Sequence, residues 1–128
     1  MICLLDTCTF LWLCSRPGGL SSTAKKLIGA SEARLLFCDA SVLEITLKWS
    51  AGKIVLPEPP RLWVAQQSAT WDVESLPLSR EDMFRASELP NHHRDPFDRL
   101  IVAAALRAGA TILTPDAAIH RYPVSWRW

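Results

Sequence analysis

Four acidic residues stand where a folded chain could gather them. Asp6 directly follows the apolar run 2–5, and Asp116 comes three residues after the apolar run 110–113. Glu44 and Asp98 each fall in the first turn of a predicted helix, one spanning 42–51 and one beginning behind Asp95. Open parallel sheets bind ligands beyond the carboxyl ends of their strands. If the strands at 2–5 and 110–113 are neighbours, all four carboxylates face one crevice. Crowded carboxylates raise one another's pKa, and a divalent cation relieves the repulsion. All-oxygen ligation favours a hard ion, Mg²⁺ or Mn²⁺. Such a site activates water and clamps a phosphodiester for in-line attack. The chemistry implied is metal-dependent phosphodiester hydrolysis.

Each acid also has a purely local role open to it. Asp6 can cap a helix over 7–13, and Asp116 one over 117–120. Glu44 can close a capping box with Ser41 or pair with Lys48 one turn on. Asp98 can complement the positive end of its helix. Asp95 is a strong N-cap, followed by Pro96 at the favoured first helical position. His92, His93, Arg94 and Arg99 cluster beside Asp98, as phosphate contacts or as a solvated loop. No third nitrogen or sulphur at usable spacing makes His92 and His93 metal ligands.

The elements that must position these residues alternate between β-like and helical runs, the signal for an α/β domain with a mainly parallel sheet. Strands are predicted at 2–5, 34–38, 72–76, 110–113 and 124–126. Helices are predicted at 7–13, 21–30, 42–51, 62–69 and 80–89. Val42, Ile45 and Trp49 share one face of the third helix, widened by Leu43 and Leu47. The strongest helix follows Asp95, with Phe97, Leu100, Ile101, Ala104, Ala105 and Ala108 at helical spacing until Gly109.

The 128 residues predict one domain, 1–128. With 49% hydrophobic residues and a net charge of +1, intrinsic disorder and a polybasic tail are excluded. No apolar stretch reaches the roughly 20 residues that span a bilayer, so no membrane partner is expected. The apolar start has no Lys or Arg before Arg16 and is broken by Asp6, unlike a secretory signal. Cys3, Cys8, Cys14 and Cys38 form no CxxC pair and read as reduced thiols of a cytoplasmic protein. Six tryptophans exceed what so small a core holds, and Trp12 and Trp63 are candidates for a partner surface or, equally, for core packing.

The chain resembles the PIN domains, in particular the VapC-type toxins of type II toxin–antitoxin systems. The likeness runs from Leu4-Leu5-Asp6-Thr7, through Ser41-Val-Leu-Glu44-Ile-Thr-Leu-Lys48 and Gly52-Lys53-Ile54, to His93-Arg-Asp-Pro-Phe-Asp98-Arg-Leu-Ile. Thr114-Pro-Asp116 and Tyr122-Pro-Val124 complete it. The resemblance implies a three-layer α/β/α sandwich and a Mg²⁺- or Mn²⁺-dependent endoribonuclease. It also implies a cognate antitoxin lying across the active-site groove, and a homodimer. Carried over by position, Asp6 and Asp98 are the principal metal ligands, and Glu44 and Asp116 complete the set. Thr7 and Thr114 orient carboxylates or water; His93, Arg94 and Arg99 are candidates to hold substrate by their charge beside Asp98. Asp95 is an outside candidate. Leu43 and Ala104 depart from the common Trp and Gln of relatives and leave the acids intact. A haloacid-dehalogenase-type phosphatase would need a second Asp where Cys8 stands. A PIN fold reduced to binding an antitoxin or RNA would be expected to have lost some of the acids.

Overall fold

Short apolar runs alternating with helices build a five-stranded, all-parallel sheet in the computed structural model, which describes residues 1–128. The strands β1 (Ile2–Leu5), β2 (Arg34–Cys38), β3 (Val73–Leu76), β4 (Thr111–Leu113) and β5 (Trp126–Arg127) lie in the order β3-β2-β1-β4-β5. β1 is central, and Leu5 pairs with Phe37 of β2 on one side and Leu113 of β4 on the other. The chain steps outward from β1 to β2 and β3, then crosses back to β4. Strand order therefore reverses between β1 and β4, where open α/β sheets form their ligand crevice.

Helices cover both faces: α1 (Thr7–Ser15), α2 (Ser22–Ile28), α3 (Asp39–Ser50), α4 (Pro60–Trp71), α5 (Arg80–Glu88), α6 (Pro96–Ala108) and α7 (Ala117–His120). Successive strand side chains point to opposite faces. Cys3, Leu5, Phe37 and Leu113 pack with Phe10 of α1, Ala24 of α2 and Trp63 of α4. Leu4, Leu36 and Ile112 pack on the other face with Ile101, Val102 and Ala105 of α6 and Ile119 of α7. The result is the expected three-layer α/β/α sandwich. Phe10 stacks on Phe37 at 3.9 Å between centroids, and Trp63 meets Phe10 edge-on at 5.9 Å. Trp63 is thus a core residue and not part of a partner surface, which decides between the two roles open to it.

Two details of α3 also depart from expectation. β2 runs into the helix without a loop, so α3 starts at Asp39 with Cys38 as an N-cap that makes no side-chain bond. Ser41 is therefore inside the helix and fully buried, and no Ser41–Glu44 capping box forms. The apolar face is narrower than its sequence suggests: Ile45 is buried, whereas Leu43 and Leu47 are half-exposed. Gly52, just past the helix, has φ +72°, a left-handed conformation that glycine adopts without strain.

The helix α6 begins and ends as its residues dictate. The Asp95 carboxylate accepts from the Phe97 N–H at 2.9 Å and the Asp98 N–H at 3.3 Å, and Pro96 occupies the first turn. Gly109 closes it at φ +63°. Ala103, Ala104 and Ala105 are fully buried, so short side chains let α6 lie close against its neighbours.

An ion pair fixes α6 to α5. Buried Asp82 accepts from Arg107 Nε at 2.8 Å and from a terminal guanidinium nitrogen at 2.9 Å, and it closes a capping box with Ser79. Burial opposes the Asp82 charge, but Arg107 and Ser79 outweigh it and hold its pKa below the ordinary value. Replacing Arg107 with Met should cost about 3 kcal/mol in urea unfolding at neutral pH, because it strands a buried carboxylate. Asp82 is depressed in the folded state, so its contribution is present above the ordinary Asp pKa and lost as pH falls through the lower folded value. The difference from wild type should therefore shrink in strong acid.

Candidate active site

The adjacency of β1 and β4 brings their carboxyl ends together. The Asp6 N–H donates to the Leu113 carbonyl at 3.4 Å, and the Thr9 hydroxyl donates to the same oxygen at 2.7 Å. Asp6, Glu44, Asp98, Asp116 and Asp95 all line one cleft of about 340 Å³, with Thr7, Cys8, Trp12 and Lys48. A larger apolar hollow of about 610 Å³ between α3 and α4 contains none of these acids.

Three of the acids are also helix caps. Asp6, only 4% exposed, accepts from the Thr9 N–H at 2.7 Å through Oδ1. Asp116 accepts from the Ala118 N–H at 2.8 Å through Oδ1, and its own N–H donates to the Thr114 hydroxyl at 3.0 Å. Asp95 caps α6 as described. Asp98 occupies the first turn of α6, as expected. Glu44 instead lies in the second turn of α3, because that helix starts three residues early. It reaches the cleft nonetheless, at 7% exposure.

Hydrogen bonds fix the remaining orientations. The Thr7 hydroxyl donates to Glu44 Oε1 at 2.6 Å and lies 2.9 Å from Ser41 Oγ. Lys48 Nζ donates to Glu44 Oε2 at 2.7 Å, and this bond is the main reason its pKa rises. His93 Nε2 lies 3.1 Å from Asp98 Oδ2, and His93 Nδ1 lies 2.7 Å from the Tyr122 hydroxyl.

The electrostatics are those of an anionic pocket short of positive charge. Burial pushes the Asp6 carboxyl up; Thr114 and Thr9 hydrogen bonds oppose this, and Asp116 adds repulsion. Asp98 is pushed up to about 7, first by burial, against the His93 bond, and then by Asp95 and Asp116. Buried carboxylates that also repel one another are the setting in which a divalent cation binds. Carboxylates of Asp6, Glu44, Asp98 and Asp116 line the cleft, and oxygen donors of this kind suit a hard ion. Ligand-type atoms of His93, Asp98 and Asp116 lie within 4.8 Å of one another. Cys8 does not suit nucleophilic work, since burial and the nearby Asp6 and Asp116 push its thiol up to about 11.

The basic candidates separate. Arg94 is exposed and lies outside the cleft. Arg99 is committed elsewhere: its guanidinium donates to the carbonyls of Ala86, Leu89 and Pro90 at 2.9–3.1 Å and to the Tyr122 hydroxyl at 3.0 Å. It clamps the segment before α6, which corrects its reading as a substrate contact. His120 stacks on Trp126 at 3.4 Å between ring centroids and bonds the Thr114 carbonyl. Lys48, Ser41 and Tyr122 join the site beyond the residues expected from sequence: Lys48 and Ser41 signal it by their spacing from Glu44, whereas the contact of Tyr122 with His93 is tertiary. All four cysteines are free thiols, and no helix is long and apolar enough to cross a membrane.

The same architecture occurs among solved structures. VapBC2 from Rickettsia felis, solved with a DNA fragment from its promoter, aligns with TM-score 0.74 and 17% identity over 99% of this chain and 98% of that one. VapBC-5 from Mycobacterium tuberculosis, a member of the VapBC family of toxin–antitoxin systems, aligns with TM-score 0.61 and 16% identity over 98% and 95%. FitAcB from Neisseria gonorrhoeae aligns with TM-score 0.61 and 15% identity over 98% and 96%. At these identities the likeness is one of fold. No curated protein sequence matches significantly. The PIN domain model matches residues 3–124, a span that contains every acid of the cleft, and the chain belongs to the PIN domain family.

Proposed function

We propose that this protein is a Mg²⁺- or Mn²⁺-dependent endoribonuclease, the VapC-type toxin of a type II toxin–antitoxin pair. The observation that carries the reading is the convergence of Asp6, Glu44, Asp98 and Asp116 on the β1–β4 crevice. Membership of the PIN family supports the nuclease class. The fold neighbours, solved as VapBC and FitAB assemblies, support an antitoxin partner.

In this reading Asp6 and Asp98 hold the ion, and Glu44 and Asp116 complete the set directly or through water. The bound ion would lower the pKa of a water molecule and neutralise charge on the scissile phosphate. Thr7 holds Glu44 in place, and the Thr114 hydroxyl accepts from the Asp116 N–H and so fixes the backbone that carries Asp116. Lys48, 46% exposed at its side chain, is the single base lining the cleft and replaces Arg99 as the phosphate contact. Exposed Arg94 extends the path for RNA beyond the cleft. A cationic side chain of an antitoxin would compete for the same carboxylates. Half-exposed Leu43 and Leu47 on α3 are apolar surface suited to a protein partner or a second copy. Reduced thiols agree with work in the cytoplasm.

Purified protein incubated with single-stranded and structured RNA should cleave with Mg²⁺ or Mn²⁺ and stop with EDTA. Asp6→Asn and Asp98→Asn should reduce cleavage to background while circular dichroism is unchanged. EDTA-insensitive cleavage would remove the metal mechanism. Bound Mn²⁺ without cleavage of any RNA would leave a module that only binds.

The cationic residues should separate in kinetics. Lys48→Ala should raise KM for RNA and reduce the salt slope of binding by about one. Arg99→Ala should instead lower Tm, by several degrees, because it releases the carbonyls before α6.

The acids should make the metal-free protein sensitive to pH. An acid whose folded pKa is raised binds more protons folded than unfolded, so its ionisation removes stability as pH rises from about 4 to about 7. Wild type in EDTA should lose Tm across that window. Asp98→Asn should flatten the loss and be the more stable protein at pH 7, and Mg²⁺ should restore wild type. An Asp98→Asn protein less stable in EDTA would mean that its helix-terminal role outweighs the repulsion.

A further inference from the structure

Tyr122 lies far from Asp98 in sequence and its ring is buried, yet its hydroxyl is the hub of a chain leading to Asp98. Arg99 donates to that hydroxyl at 3.0 Å, and the hydroxyl lies 2.7 Å from His93 Nδ1. On the other side of the same ring, His93 Nε2 lies 3.1 Å from Asp98 Oδ2. Tyr122 is 3% exposed, and no buried side-chain polar atom lacks a partner.

Satisfying each donor sets the direction of the chain. Arginine can only donate, so the Tyr122 oxygen accepts from Arg99. If His93 Nδ1–H also donated to that oxygen, the tyrosine's own proton would have no acceptor, at a cost of about 1–3 kcal/mol in a buried site. The Tyr122 O–H therefore donates to Nδ1. In neutral imidazole the proton then sits on Nε2 and is given to the Asp98 carboxylate.

We propose that Tyr122 fixes His93 as an Nε2–H donor, so that His93 positions Asp98 rather than ligating the metal itself. The close grouping of His93 with Asp98 and Asp116 would otherwise permit direct ligation. With its proton on Nε2, the ring offers that site no lone pair. His93 holds Oδ2 of Asp98, the arrangement by which outer hydrogen bonds orient ligand carboxylates. Arg99 links the same chain to the carbonyls of Ala86, Leu89 and Pro90, so the backbone before α6 and the site carboxylate share one anchor. Tyr122 and His93 are positioning residues in this scheme, which rests on the metal-dependent reading for its purpose but not for its geometry.

Nitrogen-15 NMR of histidine side chains tests it, at a pH above the histidine titration range, with the full chain and without RNA. His93 should carry its proton on Nε2 in the metal-free protein and keep it when Mg²⁺ is saturating. Tyr122→Phe should shift the tautomer toward Nδ1–H and weaken Mg²⁺ binding by calorimetry about tenfold. His93→Gln, which retains an amide donor, should bind Mg²⁺ more tightly than His93→Ala. A wild-type Nδ1–H tautomer, or loss of the Nε2 proton on adding Mg²⁺, would overturn the proposal. So would a Tyr122→Phe protein with unchanged tautomer. If wild type bound no Mg²⁺ at all, the nuclease reading would fail, while the tautomer and its response to Tyr122→Phe would still decide the relay.

Discussion

Burial of carboxylates at the β1–β4 crevice, with their mutual repulsion added, is the constraint around which the rest of the molecule is arranged. The sheet order places two strand ends side by side, each followed almost at once by an aspartate. The surrounding packing then removes water from Asp6 and Asp98, and their acidity falls accordingly. A fold free to minimise energy in isolation would not gather these groups. Their assembly makes sense as a receptor for positive charge, whether an ion or a basic side chain.

The local and the functional roles of the acids coexist. Asp6 and Asp116 each bond a helix N–H through Oδ1, so each is held by its cap. A cap secures a carboxylate with backbone donors, which neither titrate nor move far from the helix axis. A capped aspartate is thus already oriented before any ligand arrives. Asp95 serves the same end indirectly, by starting α6 where Asp98 must sit.

Polar side chains from distant segments complete that orientation. Thr7 reaches across to Glu44, Lys48 balances its second oxygen, and His93 steadies Asp98. The cations near the site have divided tasks. Lys48 remains half-exposed in the cleft, whereas Arg99 is consumed in holding backbone, as a planar fork with several donors is suited to do.

Most of the architecture was legible in residue order because it rests on local rules. Apolar runs marked the strands, Asp95-Pro96 and Gly109 bounded α6, and the position of Asp6 and Asp116 just beyond strands put them at the carboxyl edge. Errors arose where tertiary packing overrode a local motif. Ser41 and Glu44 have capping-box spacing, but β2 passes straight into α3 and buries Ser41 against Thr7. Leu43 and Leu47 have the periodicity of a buried face yet stay half-exposed. Arg99 sits beside Asp98 in sequence, but its side chain turns back to the carbonyls before the helix. Strand adjacency and the Tyr122–His93–Asp98 chain depend on contacts between residues far apart along the backbone. No local preference encodes such pairings; only the packed sheet and its helices decide them.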